Sequence, residues 1–143
     1  MDGDTDPTPI PHFASKFNIE KDIQHKAKAS SQGATWTFIR PVAFYENLTP
    51  GFIGKAFTSI WRLNGMDNRV QYVSTKDLGK IAADAFINAS SPDYKNKAIS
   101  VAGDSITPKE MAAVFKEVTG EEIPTTYPFL ARILRYKLWE QLG

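Results

Sequence analysis

The chain has no cysteine. Disulfides, zinc–thiolate sites and thiol catalysis are therefore excluded. It also lacks any stretch approaching the roughly 18 uninterrupted apolar residues that a membrane span needs, so no membrane partner is expected. An excess of one charge is missing too. Lys and Arg number 17 and Asp and Glu 16, for a net charge of +1. A dedicated nucleic-acid binder carries a clear basic excess, so direct nucleic-acid binding is not expected. The glycines never assemble into G-x-G-x-x-G or G-x-x-x-x-G-K-[ST]. Without a glycine-rich turn feeding a helix N-terminus, nothing obvious in the chain cradles a pyrophosphate. HExxH and GxSxG are absent as well. The opening segment, Met1 to Pro11, is acidic and proline-rich and has none of the apolar core of a signal peptide. The expected location is cytoplasmic, or nuclear by diffusion.

What is present is an ordinary globular composition, 42% hydrophobic and 23% charged over 143 residues. That is enough for one domain with a real core. Residues 1–11 read as a flexible loop and residues 12–143 as the folded portion. A helix is expected from about Phe13 to Ala29, with Lys16, Ile19, Glu20, Ile23 and Ala27 along one face. A strand follows at Thr35 to Ile39 and is stopped by Pro41. Thr49-Pro50 reads as a cap and first helical position for a helix that buries Ile53, Phe57, Ile60 and Trp61.

After the Asn64-Gly65 turn, Val70 to Val73 reads as a strand. Ser74 then caps a helix whose stripe is Leu78, Ile81, Ala82, Ala85 and Phe86. Ala98 to Val101 reads as a third strand. Thr107-Pro108-Lys109-Glu110 combines cap, proline and returning acid, opening a helix that faces inward with Met111, Ala112, Phe115 and Val118 and ends at Gly120. A last helix begins near Pro128 and carries Leu130, Ile133, Leu134 and Leu138. Short strands alternating with longer helices predict an α/β, Rossmann-like architecture with parallel strands and flanking helices.

Two groups of residues stand out chemically. Lys16 lies within the inward stripe of the first helix, where an aliphatic residue would be usual. It either snorkels outward and pairs with Glu20 four residues on, or sits under a ligand's ribose or phosphate. His12 is four residues before it, the spacing of the Tyr-x-x-x-Lys pair of short-chain dehydrogenases, and a histidine can move a proton near neutral pH. The second group is Phe44, Tyr45, Glu46 and Asn47, in the segment after a buried strand. Loops beyond the carboxyl ends of parallel strands are where open α/β sheets bind ligands. An aromatic pair followed by Glu-Asn can stack on a ring and hydrogen-bond an amide. The same residues also suit core filling by Phe44 and Tyr45, with Glu46 and Asn47 capping the next helix.

The order Pro11-His12-Phe13-Ala14-Ser15-Lys16, then Trp36-Thr37-Phe38-Ile39-Arg40-Pro41-Val42-Ala43-Phe44-Tyr45-Glu46-Asn47, resembles the second half of fungal NmrA-like proteins. Val73-Ser74-Thr75-Lys76-Asp77-Leu78-Gly79 and Ala98-Ile99-Ser100-Val101-Ala102-Gly103-Asp104 continue the likeness. This family is an atypical branch of the short-chain dehydrogenases. The resemblance implies a domain that binds NAD or NADP and, in several members, a redox-sensing role exercised through regulatory protein partners. It implies that Lys16 reaches the nicotinamide ribose and that Phe44, Tyr45, Glu46 and Asn47 close around the nicotinamide end.

His12 stands where the catalytic tyrosine would be, which implies little or no dehydrogenase activity. The family's first strands and glycine-rich turn would precede Met1. The expectation is thus the C-terminal half of an NmrA-like protein. Two other readings accompany it. One is a reductase or a non-redox isomerase or cyclase using His12, Lys16 or Tyr45. The other is a protein-binding module acting through the last helix, with self-association through its exposed stripe.

Overall fold

Helix α1 spans Pro11–Ala29, with proline at its first position and Lys26 and Lys28 in its last turn, where cations suit the carbonyl end of the helix dipole. The computed structural model describes residues 11–142, and side chains for residues 13–137. Most of the expected loop at 1–11 lies outside the described residues; Pro11 itself belongs to α1. The half-buried positions of α1 are Ala14, Phe17, Glu20, Gln24 and Ala27, three or four residues apart. Lys16 is exposed, as are Ile19 and Ile23. The inward face is thus rotated from the expected one, and the reason is a charge pair. Glu20 turns in to meet Arg40 rather than Lys16.

Strand β1 is Thr37–Pro41, two residues later than expected. It pairs in parallel with β4, Lys97–Val101, with Ile39 opposite Ile99. Pro41 ends the ladder from within. It has no N–H to give, and Val42 donates to the Val101 carbonyl at 3.2 Å in the next position. The chain then forms β2, Ala43–Phe44, and a 3-10 turn at Tyr45–Leu48. Strand β2 pairs in parallel with β3, Val70–Val73, and β3 pairs antiparallel with β5, Asp104–Ile106. The architecture is α/β, with short, mainly parallel strands in two sheets, β1-β4 and β2-β3-β5. Each of β1 and β4 runs on into a strand of the other sheet, so the two sheets adjoin.

Helix α2 is Phe52–Leu63 and starts two residues after the expected Thr49-Pro50 signal. Thr49 instead closes the 3-10 turn, and Gly51 begins the helix at φ 114°, a left-handed backbone that favours glycine. Its buried residues are the small ones, Gly54, Ala56, Thr58 and Ser59. Ile53, expected in the core, is 64% exposed. The small face permits close approach: Thr58 donates to the Gly54 carbonyl at 2.8 Å, and Ser59 Oγ accepts from the Thr126 N–H at 2.8 Å.

Helix α3 is Thr75–Ile87, α4 is Pro108–Thr119 and α5 is Pro128–Leu142. The caps at Ser74 and Thr107 form as expected, the second as a full capping box, and Gly120 closes α4 in the left-handed conformation. The inward stripes are shorter than expected at their carboxyl ends. Phe86 is 86% exposed and Val118 77%. On α5, Ala131 is buried and Leu130 and Leu134 are half-buried, while Ile133 is exposed and the Leu138 side chain lies outside the described residues. One core cluster centres on Tyr72, Met111 and Ile123, with Tyr45, Leu48, Trp61 and Phe115 packed around it. The Trp61 ring meets Tyr72 edge-on at 4.8 Å, and Tyr45 stacks on Tyr72 at 5.1 Å.

Candidate functional site

Lys16 is placed by its neighbours rather than by its own contacts. Arg40, next to the last residue of β1, donates from Nε to Glu20 Oε1 at 3.0 Å and from an Nη to Oε2 at 2.5 Å. Such a two-pronged arginine–carboxylate pair fixes geometry as well as charge. Both side chains are mostly buried, 29% and 18% exposed. Lys16 lies one turn before Glu20 on α1, about 6 Å along the axis. Its ammonium forms no hydrogen bond or ion pair with a described residue. His12 lies in the first turn of α1, and its side chain is outside the described residues.

The other four candidates diverge in environment although they are consecutive. Phe44 is the last residue of β2, opposite Val73, and is half-buried. Tyr45 is drawn into the core cluster against Tyr72, and its hydroxyl donates to Asp104 Oδ2 at 3.2 Å. Burial first, then the Asp104 charge, raise its pKa above the ordinary tyrosine value.

Glu46 is turned to the start of α3. Its Oε1 accepts from the Thr75 N–H at 2.9 Å and from the Thr75 hydroxyl at 2.7 Å. Those bonds hold its carboxyl below the usual glutamate range. Glu46 thus satisfies an orphan donor at the first turn of α3, alongside the Ser74 cap. The sequence reading of a Glu-Asn cap points to the following helix, α2; the structure gives the cap to α3. Asn47 is half-buried in the 3-10 turn.

The fold joins the Phe44–Asn47 segment to Thr75 through Glu46, and ties α1 to the carboxyl end of β1 through Glu20 and Arg40. Sequence reasoning missed Arg40, Thr75 and Asp104, which position the others. The available signal for Arg40 was an inward Glu20 on α1 facing a strand that ends in Arg-Pro. The described residues include no cluster of histidine and carboxylates able to hold a metal ion. No helix among them is long and apolar enough to cross a membrane.

Comparison with known proteins places this geometry in context. The model of the NmrA-like family matches residues 3–134, nearly the whole chain. Among solved structures, a nucleoside-diphosphate-sugar epimerase from Staphylococcus aureus superposes with a TM-score of 0.53 at 20% identity. The match covers 87% of this chain and 42% of the epimerase chain. This chain thus spans well under half the length of that structure, and at that identity the likeness concerns the fold. No curated protein matches the chain.

Proposed function

Because the chain belongs to the NmrA-like family, we propose that it supplies the nicotinamide-side wall of an NAD(P)-binding, redox-sensing protein with little or no dehydrogenase activity of its own. The observation that carries this reading is the Glu20–Arg40 clamp, which ties α1 to the carboxyl end of β1 one turn after the exposed Lys16. That end is where open α/β sheets take their ligands.

The residues fit one end of a dinucleotide. Lys16 offers an ammonium for ribose hydroxyls. Phe44 and Asn47, both half-buried, offer a ring face and an amide. Glu46 is engaged with Thr75 and serves by fixing the segment rather than by touching a ligand. A bound nicotinamide would supply a hydride acceptor or donor, and this chain's residues would orient it. No glycine-rich phosphate cradle occurs in the chain, so its contribution is partial. With His12 in the place of the family's catalytic tyrosine, the reading favours sensing over turnover, with a regulatory protein as the natural output.

Titration with nicotinamide mononucleotide, followed by NMR, tests the site. Resonances of Lys16, Phe44 and Asn47 are expected to shift at millimolar ligand. Lys16→Ala should remove most of the effect and Glu20→Gln should weaken it. Calorimetry with NADP and NAD should show no tight complex. A micromolar complex, about −8 kcal/mol, would overturn the partial-grip reading. Resonances that do not move with the mononucleotide would overturn the site.

A further inference from the structure

Arg132 and Arg135 lie three residues apart on α5, and Tyr136 is the i+4 neighbour of Arg132, so all three share a face. With Asn64, which closes α2, they line an open surface cavity of about 580 Å³, and all four residues are exposed. That volume is within the range of pockets that take small molecules, roughly 300–1,000 Å³. Two like charges at this spacing repel and destabilise a helix unless something compensates them. Neither arginine has a hydrogen bond or ion pair with a described residue. Arg40 and Arg69, in contrast, each hold a glutamate. The Asn64 backbone is engaged, its N–H with the Trp61 carbonyl and its carbonyl with the Asn68 amide, while its carboxamide has no described partner.

Paired guanidinium forks match the oxygens of phosphate or carboxylate. A tyrosine ring and a carboxamide beside them suit a flat polar ring. The cavity is far roomier than a bare oxyanion needs. It is also removed from the Phe44–Asn47 segment. Asn64 opens the turn that leads to the start of β3 at Val70, whereas the Glu46–Thr75 contact lies past the other end of that strand, about 10 Å along it.

We infer that Arg132, Arg135, Tyr136 and Asn64 form a second site, for a small anionic molecule carrying a phosphate or carboxylate group on a flat ring. The arginines hold the oxyanion and Tyr136 and Asn64 hold the ring. The rival is a structural role, in which the two cations offset the carbonyl end of α2.

Phenyl phosphate, benzoate, inorganic phosphate and phenol separate the cases when titrated against the whole chain by NMR. Phenyl phosphate or benzoate should shift the Nε–H signals of both Arg132 and Arg135, and the tighter of the two identifies the oxyanion. Inorganic phosphate should bind more weakly than phenyl phosphate, and phenol weakest of all. Arg132→Gln and Arg135→Gln should each weaken binding about tenfold, the loss expected for one charge-assisted hydrogen bond. Tyr136→Leu should weaken phenyl phosphate more than inorganic phosphate. Lys16→Ala should change none of these affinities, which keeps the two sites distinguishable. Unmoved arginine signals in the unaltered protein would overturn the inference, whatever the variants do. So would phenol binding as tightly as phenyl phosphate, or arginine variants that lower the melting temperature with ligand affinity intact.

Discussion

Glu46 illustrates how one carboxylate is committed by a neighbour far away in sequence. Its two bonds from Thr75 favour the charged form, so its folded pKa is depressed. A depressed carboxyl adds stability that is present above the unfolded value, about 4.3, and is lost as pH falls through the folded value. Asp77, held down mainly by Lys80 and Ser74, and Glu110, held down mainly by the Thr107 N–H, titrate in the same sense. The first turns of α3 and α4 should therefore loosen together in acid. Urea unfolding at several pH values checks this. Glu46→Gln is expected to be less stable than the unaltered chain at pH 7, and the gap should close below about pH 4. A gap unchanged into strong acid would show that the bonds to Thr75 carry no charge dependence.

The same scale shows why Lys16 and Glu20 were easy to misjoin in the sequence. Their i,i+4 spacing is a helical pairing distance, but an exposed lysine competes poorly with a planar fork in a sheltered site. Arg40 takes both Glu20 oxygens.

Among the elements, the helix starts that rest on local chemistry were legible: Ser74, Thr107-Pro108 and the Gly120 end all form as the residues dictate. Thr49-Pro50 carries the same signal, yet α2 begins later, because the chain must first complete the 3-10 turn and reverse at Gly51. The cost of that tight entry is visible at Gly54. A Cβ there would lie 1.9 Å from the Thr49 carbonyl oxygen. Gly79, inside α3, meets nothing within 4 Å. Helix propensity alone favours alanine at both by about 1 kcal/mol.

Thermal unfolding should separate them in sign. Gly79→Ala is expected to stabilise by up to about 1 kcal/mol. Gly54→Ala should destabilise by about 3 kcal/mol or more, since backbone rather than a flexible side chain must move. Equal effects at the two positions would mean that α2 enters by another path.

For the molecule as a whole, several large apolar side chains face solvent. Phe86, Ile87 and Val118 are each more than three-quarters exposed. Soluble monomers seldom carry much contiguous apolar surface without a partner for it. The expected outcome in sedimentation velocity is a weight-average coefficient that rises with concentration. A single monomer boundary from micromolar to near-millimolar protein would refute it.

By itself the sequence determined the class of fold, the identity and order of the helices, and the exclusions that follow from having no cysteine, no glycine-rich phosphate turn and no charge excess. These depend on composition and on contacts a few residues apart, where periodicity and capping act. Strands β2 and β5 were not legible, because two- and three-residue strands have too few side chains to show a period and exist only through pairing with β3. The tertiary structure alone decided which face of α1 turns inward, that Glu46 serves α3, and that Tyr45 belongs to the core. Each of these is settled by a partner 20 to 59 residues away in the chain, and no local spacing encodes such a partner.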